Sequence, residues 1–461
     1  MAEGRVPKDW RQANITALYK KGDKKQPSNY RPVSLTSIIC KVMEQFIREA
    51  IMDHMMINNL ICKEQHGFVK GKNCITNLLE TIDDWTKSME IGNSVDAVYL
   101  DFKKAFDKVP HKRLVMKLKM YGIDDKIVNW VADFLRDRTQ RVMVNGEASS
   151  WKKVTSGIPQ GSVLGPSLFV IYINDLPESI QSKYRIFADD TKVYSEGEGG
   201  GNVKLQRDID ALQEWSDRWQ IQFNVDKCAV MHLGKNNLKK DYSMSINNET
   251  QSLVKSEAEK DLGVVVDDNL KFSKHIEGIT QKANQILGVL RRNFKNINRK
   301  TFVMLYKVLV KSKLEYGNVI WNPTNERDRD MLERVPRRAT KIVQGLKHKG
   351  YSERLASLKL PTLEFRRLRG DLLQTHKIIH KKDNMNDIFY FNNKNRTRGH
   401  TWKMAKQRCS LKQRRHFFSN RVINSWNSLP DEAVVTKQLN TVKRHIDKCE
   451  VFGDKFVYKS W

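Results

Sequence analysis

The sequence predicts an α+β protein: a mixed body of roughly 260 residues, a helical middle and a basic, helical tail. Three patterns predict it. Up to about residue 265, short apolar β-prone runs alternate with stretches of helical periodicity. Ile276, Ile279, Ala283, Ile286, Leu287 and Leu290 then recur at helical spacing, as do the apolar residues of 302–314, so 271–345 reads as helix. Pro361 opens a further helical pattern carried by Leu363, Phe365, Leu368 and Leu372–Leu373.

Composition narrows the class. A chain of 461 residues predicts two to four domains, and 39% apolar residues suffice for buried cores. Lys plus Arg number 82 against 53 Asp plus Glu, a net of +29. Such an excess points to a polyanionic partner, nucleic acid by default. Six Cys without a CxxC pair exclude a disulfide scaffold and a zinc ribbon, and suit a reducing compartment. No run of 18 apolar residues occurs, so no membrane-spanning helix is expected, and Met1–Trp10 lacks the apolar core of a signal peptide.

The charge is concentrated. Residues 341–461 carry 27 Lys and Arg against 10 Asp and Glu, a net of +17. Lys394, Arg396, Arg398, Lys403, Lys406, Arg408, Lys412, Arg414, Arg415 and Arg421 lie in a stretch without an acid, interleaved with Trp402, His416, Phe417, Phe418 and Trp426. Cations bind phosphates by releasing counterions, and aromatic rings stack on unpaired bases, so this tail reads as a nucleic-acid surface. The alternative is a solvated basic face with its aromatics in a small core. The segment Glu196–Gly201 reads as a surface turn.

Two acidic positions stand out by context. The β-prone run Val95–Leu100 ends in Asp101, followed by the helix-like Lys103–Asp107. Asp189 and Asp190 sit between the β-prone runs 184–188 and 191–194, as at the tip of a hairpin. Asp83–Asp84, Asp124–Asp125 and Asp267–Asp268 lack that apolar flanking and read as surface acids. Carboxylates held close repel and raise each other's pKa unless a cation neutralises them. Mg2+ takes one or two carboxylates plus phosphate oxygens, and two such ions about 3.5–4 Å apart suit in-line phosphoryl transfer. The alternative is three turn or cap residues that never meet.

Between these acids, residues 156–166 hold Gly157, Pro159, Gln160, Gly161, Gly165 and Pro166, then an apolar helix-like run over 167–173. The loop suits either a tight turn before a buried helix or a close approach to a base, with Gln160 supplying hydrogen bonds. Gly71-Lys72 fails as a P-loop, since His66 occupies the first glycine position and Asn73 that of Ser or Thr. Cys409, His416, His445 and Cys449 match no familiar zinc spacing, and the three Asn-x-Thr triplets read as chance. The cations of 406–415 suit nuclear import or RNA binding.

The blocks Tyr30–Leu35, Gln65–Phe68, Leu100–Asp107, Gly157–Ser162 and Phe187–Asp190, in that order, resemble a reverse transcriptase, and more closely the polymerase of jockey-like LINE (non-LTR) retrotransposons. Phe223–Cys228, Leu262–Val264, Leu314–Gly317, Arg337–Thr340, Leu368–Asp371 and Phe417–Pro430 extend the resemblance over nearly the whole chain. It implies a right-hand polymerase: fingers and palm over 5–265, a helical thumb over 266–345, and a basic nucleic-acid-binding region over 346–461. It implies an RNA-directed DNA polymerase that extends a DNA primer with dNTPs on an RNA template, using two Mg2+ ions, with Mn2+ as a substitute.

Residue by residue, the resemblance makes Asp101 and Asp189 metal ligands, with Asp190 completing the triad. Phe102 lends its main chain near metal and triphosphate. Phe106 sits under the sugar, where its ring excludes a 2′-OH. Gln160 and Gly161 lie near the nascent base pair, Arg31 near triphosphate or template, and Lys227 protonates the pyrophosphate leaving group. Asn73, Lys103 and Ser167 depart from a usual small hydroxyl residue, Ser and Leu. A 5′-truncated copy, lacking the upstream endonuclease, is expected, without a ribonuclease H segment. No membrane and no obligatory protein partner is expected, and the location is nucleus, cytoplasm or both. The rival reading is a catalytically silent RNA-binding remnant; a maturase-like splicing factor is a third.

Overall fold

Residues 5–197, 203–246, 249–385, 388–391 and 400–448 are described by a computed structural model. Strand β1 (Gln12–Tyr19) pairs antiparallel with β2 (Tyr30–Leu35), Ile15 lying opposite Ser34. Helix α1 (Ile38–Ile57) follows and buries Cys40, Glu44, Ile47, Ile51 and Met55, one face at helical spacing. Helix α2 (Cys74–Glu90) starts at Asn73, whose side chain accepts from the N–H groups of Ile75 and Thr76 while Thr76 accepts from Asn73. The Asn at 73 thus keeps the capping role of a hydroxyl residue.

Strand β3 (Ser94–Leu100) is central in a five-stranded sheet. After it come α3 (Ala105–Lys108), α4 (His111–Met120), α5 (Asp125–Leu135) and β4 (Thr139–Val144), which runs parallel to β1. The short strands β5 (Glu147–Ala148) and β6 (Lys152–Lys153) complete that first sheet on β4. The apolar run after the Gly/Pro loop forms the buried α6 (Gly165–Tyr172), with Pro166 in its first turn. Strands β7 (Lys183–Phe187) and β8 (Asp190–Gly197) make the hairpin, and α7 (Val203–Trp219) and β9 (Ala229–Leu233) follow. Glu196 and Gly197 therefore end a strand; the rest of the turn expected at 196–201 lies outside the described residues. The strands β10 (Ser243–Ile246), β11 (Glu249–Ser252), β12 (Val254–Lys255), β13 (Ala258–Asp261) and β14 (Val264–Asp267) close the mixed body.

The central sheet has the order β12-β9-β3-β8-β7. Successive strand side chains point to opposite faces. Accordingly Val95 and Ala97 of β3 pack with Leu78 and Trp85 of α2, whereas Val98 and Leu100 pack with Leu168 and Phe169 of α6. Covered on both faces, β3 holds its carboxy-terminal residue in a fixed place.

The helical stretch expected over 271–345 is present as α8 (Ser273–Asn293), α9 (Arg299–Leu305), α10 (Ser312–Glu315), α11 (Asn318–Trp321) and α12 (Glu326–Ala339). Then come α13 (Tyr351–Leu358) and α14 (Leu363–Ile379), the latter capped by Thr362 directly after Pro361. One apolar cluster joins Trp321, Leu332, Leu355, Phe365, Phe418 and Trp426 across the boundary drawn at 345.

The tail corrects one expectation. Phe417, Phe418 and Trp426 are buried and do not offer faces for stacking; only Trp402 of the interleaved tryptophans is open to solvent. Full burial of a Phe is worth about 1.5–3 kcal/mol, so these rings contribute to a core. Two of the cations are also internal. Arg414 pairs with Asp83 of α2 at 2.6 Å, and Arg421 grips both oxygens of Asp371 at 2.9 and 2.7 Å. Asp83 is thereby a structural acid and not a surface one. Among the described residues Cys409, His416 and His445 form no metal-holding group; Cys449 of the zinc combination lies outside them.

Candidate active site

The site forms where β3 ends beside the β7–β8 hairpin. Leu100 pairs with Thr191 in the antiparallel register, so the next residues outward, Asp101 and Asp190, are cross-strand neighbours. Phe187 pairs with Asp190, which leaves Ala188 and Asp189 as the turn. Ala188 has φ +54°, an uncommon conformation for a residue with a side chain. Strain of that kind persists only where the surroundings over-determine it.

Those surroundings are Gln65 to Gly67, whose role the sequence left unread. The buried Gln65 side-chain oxygen accepts from the Ala188 N–H at 3.0 Å and from the Gly67 N–H at 2.7 Å. The main chain adds His66 N–H to Ile186 O and Ile186 N–H to Glu64 O, at 2.8 and 3.0 Å. A Cβ on residue 67 would lie 2.5 Å from the Ala188 nitrogen. Only glycine lets this segment brace the hairpin so closely.

Asp101 is held on its other side. Its carbonyl accepts from Asn224 N–H at 2.7 Å, and Phe102 forms a bridge to Phe223, their rings stacked at 4.5 Å. This ties the 223–228 segment to the end of β3 and brings Lys227 Nζ to 2.6 Å from Asp101 Oδ2. The Lys227 side chain is 59% exposed and that of Asp101 33%, so the ammonium projects over an open mouth and not into a core.

Phe106 lies half-buried, stacked on Phe169 at 4.8 Å. Its carbonyl accepts from Ile158 N–H at 2.7 Å, which threads the Gly/Pro loop beside it. The loop's other side meets β2: Gln160 O accepts from Ser34 N–H at 2.6 Å. Gly161 has φ +113°, and a Cβ there would lie 2.5 Å from Ser34 O. Gln160 Nε2 stands 3.5 Å from an Asp107 oxygen. Arg31 is an exposed residue of β2 whose positive charge reaches Asp189.

A cleft of about 160 Å³ is lined by Tyr99, Asp101, Asp190, Lys192, Lys227 and Asp261, among others. Its electrostatics are those of crowded carboxylates. Burial first, then the charge of Asp101, raise the Asp189 carboxyl above its usual range, against Arg31 and Lys227. Asp190 is reached by water, yet the protein mass around it and then Asp189, Asp261 and Asp101 push it up to about 6. Oxygen donors that repel one another at neutral pH are a donor set for a hard divalent cation. The register sets Asp101 beside Asp190 and the Asp189 turn, with Lys227 paired to Asp101 and the charge of Arg31 reaching Asp189. Phe106, Gln160 and Gly161 belong to the adjoining loop junction.

Residues 19–300 match the family described as reverse transcriptase (RNA-dependent DNA polymerase). The chain belongs to this family. It is 30% identical over 332 residues to the RNA-directed DNA polymerase from mobile element jockey of Drosophila melanogaster, covering 68% of this chain and 35% of that protein. It is 26% identical over 350 residues to the probable RNA-directed DNA polymerase from transposon X-element of the same species, covering 74% and 38%. The chain thus spans about a third of the length of these curated relatives. An apo telomerase structure from Candida tropicalis aligns with a TM-score of 0.38 at 10% identity, covering 57% of this chain and 54% of that one. The family binds nucleic-acid templates and generally uses divalent metal ions. Among the described residues no helix is long and apolar enough to cross a membrane.

Proposed function

We propose that the chain is the polymerase of a non-LTR retrotransposon, joining dNTPs to a DNA primer on an RNA template. The observation that carries this reading is the register that sets Asp101 beside Asp190 and the Asp189 turn, with Lys227 at 2.6 Å from Asp101. In this reading 5–265 form fingers and palm, 266–345 the thumb and 346–461 a basic region, working in nucleus or cytoplasm.

Asp101, Asp189 and Asp190 would hold two Mg2+ ions, or Mn2+ in their place. Bound there, the ions supply charge stabilisation to the attacking and leaving oxygens. The protein's own residues supply position and protons. Lys227 carries a proton at Nζ over the open mouth, where a departing pyrophosphate oxygen can take it. The rigid junction of Phe106, Gln160 and Gly161 orients the incoming nucleotide; most of the rate gain is of this positioning kind. The Phe106 ring, stacked on Phe169, would lie under the sugar of the incoming nucleotide, where a ring would clash with a 2′-OH. Arg31 offers a guanidinium to phosphate oxygens.

Primer extension on poly(rA)–oligo(dT) with dTTP and Mg2+ tests the reading. The intact chain should extend, and both chelation and Asp189→Ala/Asp190→Ala should abolish extension while RNA binding survives. RNA binding without any extension by the intact chain would favour the silent remnant instead.

A further inference from the structure

The cleft has a second wall that the carboxylate triad does not explain. Its residues 259–262 belong to the β13–β14 hairpin, where Asp261 pairs with Val264 at the closed end. Across the cleft stands Lys192 of β8, two residues from Asp190 and cross-strand from Tyr99. Lys192 Nζ meets Asp261 Oδ2 at 2.5 Å, and the two side chains are only 4% and 6% exposed. Taking two charges this far from water is costly, and surface pairs elsewhere in the chain do without it. The pair is also directional, since one ammonium on the central sheet meets one carboxylate on a separate two-stranded sheet. Beyond it, Tyr316 Oη, at the end of α10, donates to Leu262 O at 2.8 Å, so the helical region grips the same hairpin one residue on.

We propose that Lys192 and Asp261 are positioning residues, whose ion pair locks the β13–β14 hairpin to the strand bearing Asp190 so that both walls of the cleft move as one. The inference rests on the polymerase reading of this cleft. Residues 259–262 line the same cleft as Asp101 and Asp190, so a primer end presented to those acids would pass beside them. A loosened wall misplaces that end, and small misplacement of reacting atoms is expensive in rate. Overall affinity is governed by phosphate contacts over the whole duplex, so it should hardly change.

The test compares Lys192→Met, Asp261→Asn and the apolar pair Lys192→Met/Asp261→Leu with wild type, all as full chains. Single-nucleotide extension should slow by about 10–100-fold in each single variant, on the scale of one misplaced contact, with dNTP KM and primer–template Kd within about threefold. The apolar pair should recover the thermal midpoint, because well-packed apolar replacements of buried pairs are tolerated. It should not recover the rate, because an apolar contact lacks the direction of an ion pair. Wild-type rate in the apolar pair would reduce Lys192 and Asp261 to fold stability alone. Hydrogen exchange over 258–267 gives a readout independent of activity: Lys192→Met should speed it at least about tenfold while α5 stays protected. Unchanged exchange there overturns the proposal. Absence of Mg2+-dependent extension by wild type would overturn only the polymerase reading.

Discussion

Replacing Gln65 by Met roughly keeps the side chain's length and volume and removes the carboxamide, its acceptor oxygen included. That oxygen accepts from two main-chain N–H groups, Ala188 at 3.0 Å and Gly67 at 2.7 Å, within a buried segment. Each buried donor left without a partner costs about 1–3 kcal/mol. Two of them give about 2–6 kcal/mol, nearer the lower end because the turn borders an open cleft. The strained Ala188 turn is the part free to yield, so the loss should show twice. Urea unfolding should lose at least about 2 kcal/mol of stability. Extension should fall by about 10–100-fold, since each 1.4 kcal/mol of misplacement at the carboxylates is tenfold in rate. Gln65→Glu keeps the acceptor and serves as the comparison: it should preserve stability better than Met does. A Gln65→Met protein with stability within about 0.5 kcal/mol and rate within about twofold of wild type would refute the bracing argument.

Three further outcomes are expected. Phe106→Ala should raise rNTP incorporation relative to dNTP, read by competition on one template; unchanged sugar discrimination would remove the ring from that role. Arg421→Met should destabilise by about 3–5 kcal/mol, because Asp371 is buried and loses both hydrogen bonds; thermal unfolding of Arg421→Met/Asp371→Leu should recover most of it. In the metal-free protein Asp190 ionises at about 6 when folded, against about 3.9 unfolded. Its favourable contribution is thus present below about pH 4 and lost as pH rises through about 6. Asp190→Asn should therefore raise the metal-free thermal midpoint at pH 7, a gap that closes near pH 4; a gap independent of pH would refute the assignment.

Local pattern carried the sequence reading as far as local physics goes. A β-prone run before Asp101 and such runs on both sides of Asp189-Asp190 marked strand ends, and the register sets Asp101 beside Asp190. Helical periodicity over 271–345 and after Pro361 was legible because those helices bury one stripe each. What the sequence hid were contacts between distant segments. Gln65 and Ala188 are 123 residues apart, Lys192 and Asp261 are 69 apart, and Asp83 and Arg414 are 331 apart. Nothing in the local sequence of Asp83 distinguishes it from the exposed Asp124 and Asp125 until Arg414 arrives, and Asp267, likewise read as a surface acid, is buried with its carboxylate accepting from the N–H groups of Lys271 and Phe272. Composition likewise cannot separate an aromatic that stacks on a base from one that fills a core, and Phe418 and Trp426 fill a core.

The same distinction changes what the basic tail can do. Counted by composition, 341–461 carries a net of +17. In the fold, Arg366 pairs with Glu315, Arg369 with Asp447, Arg414 with Asp83 and Arg421 with Asp371. These arginines bind the tail to α10, to the helix Leu439–Lys448, to α2 and to α14, with part of each guanidinium already engaged by a carboxylate. Each phosphate contact adds about −0.9 to the salt slope of duplex binding, so a slope taken from composition is too steep. The cations left at the surface include Lys406, Arg408, Lys412 and Arg415, close in sequence on one segment. That segment is anchored to α2 at both Arg414 and Ser410, the latter donating to Glu90. Since α2 packs under β3, the tail's exposed charge is carried on the same base as Asp101, so a nucleic acid bound by that charge, as proposed for the tail, would be held at a fixed offset from the site.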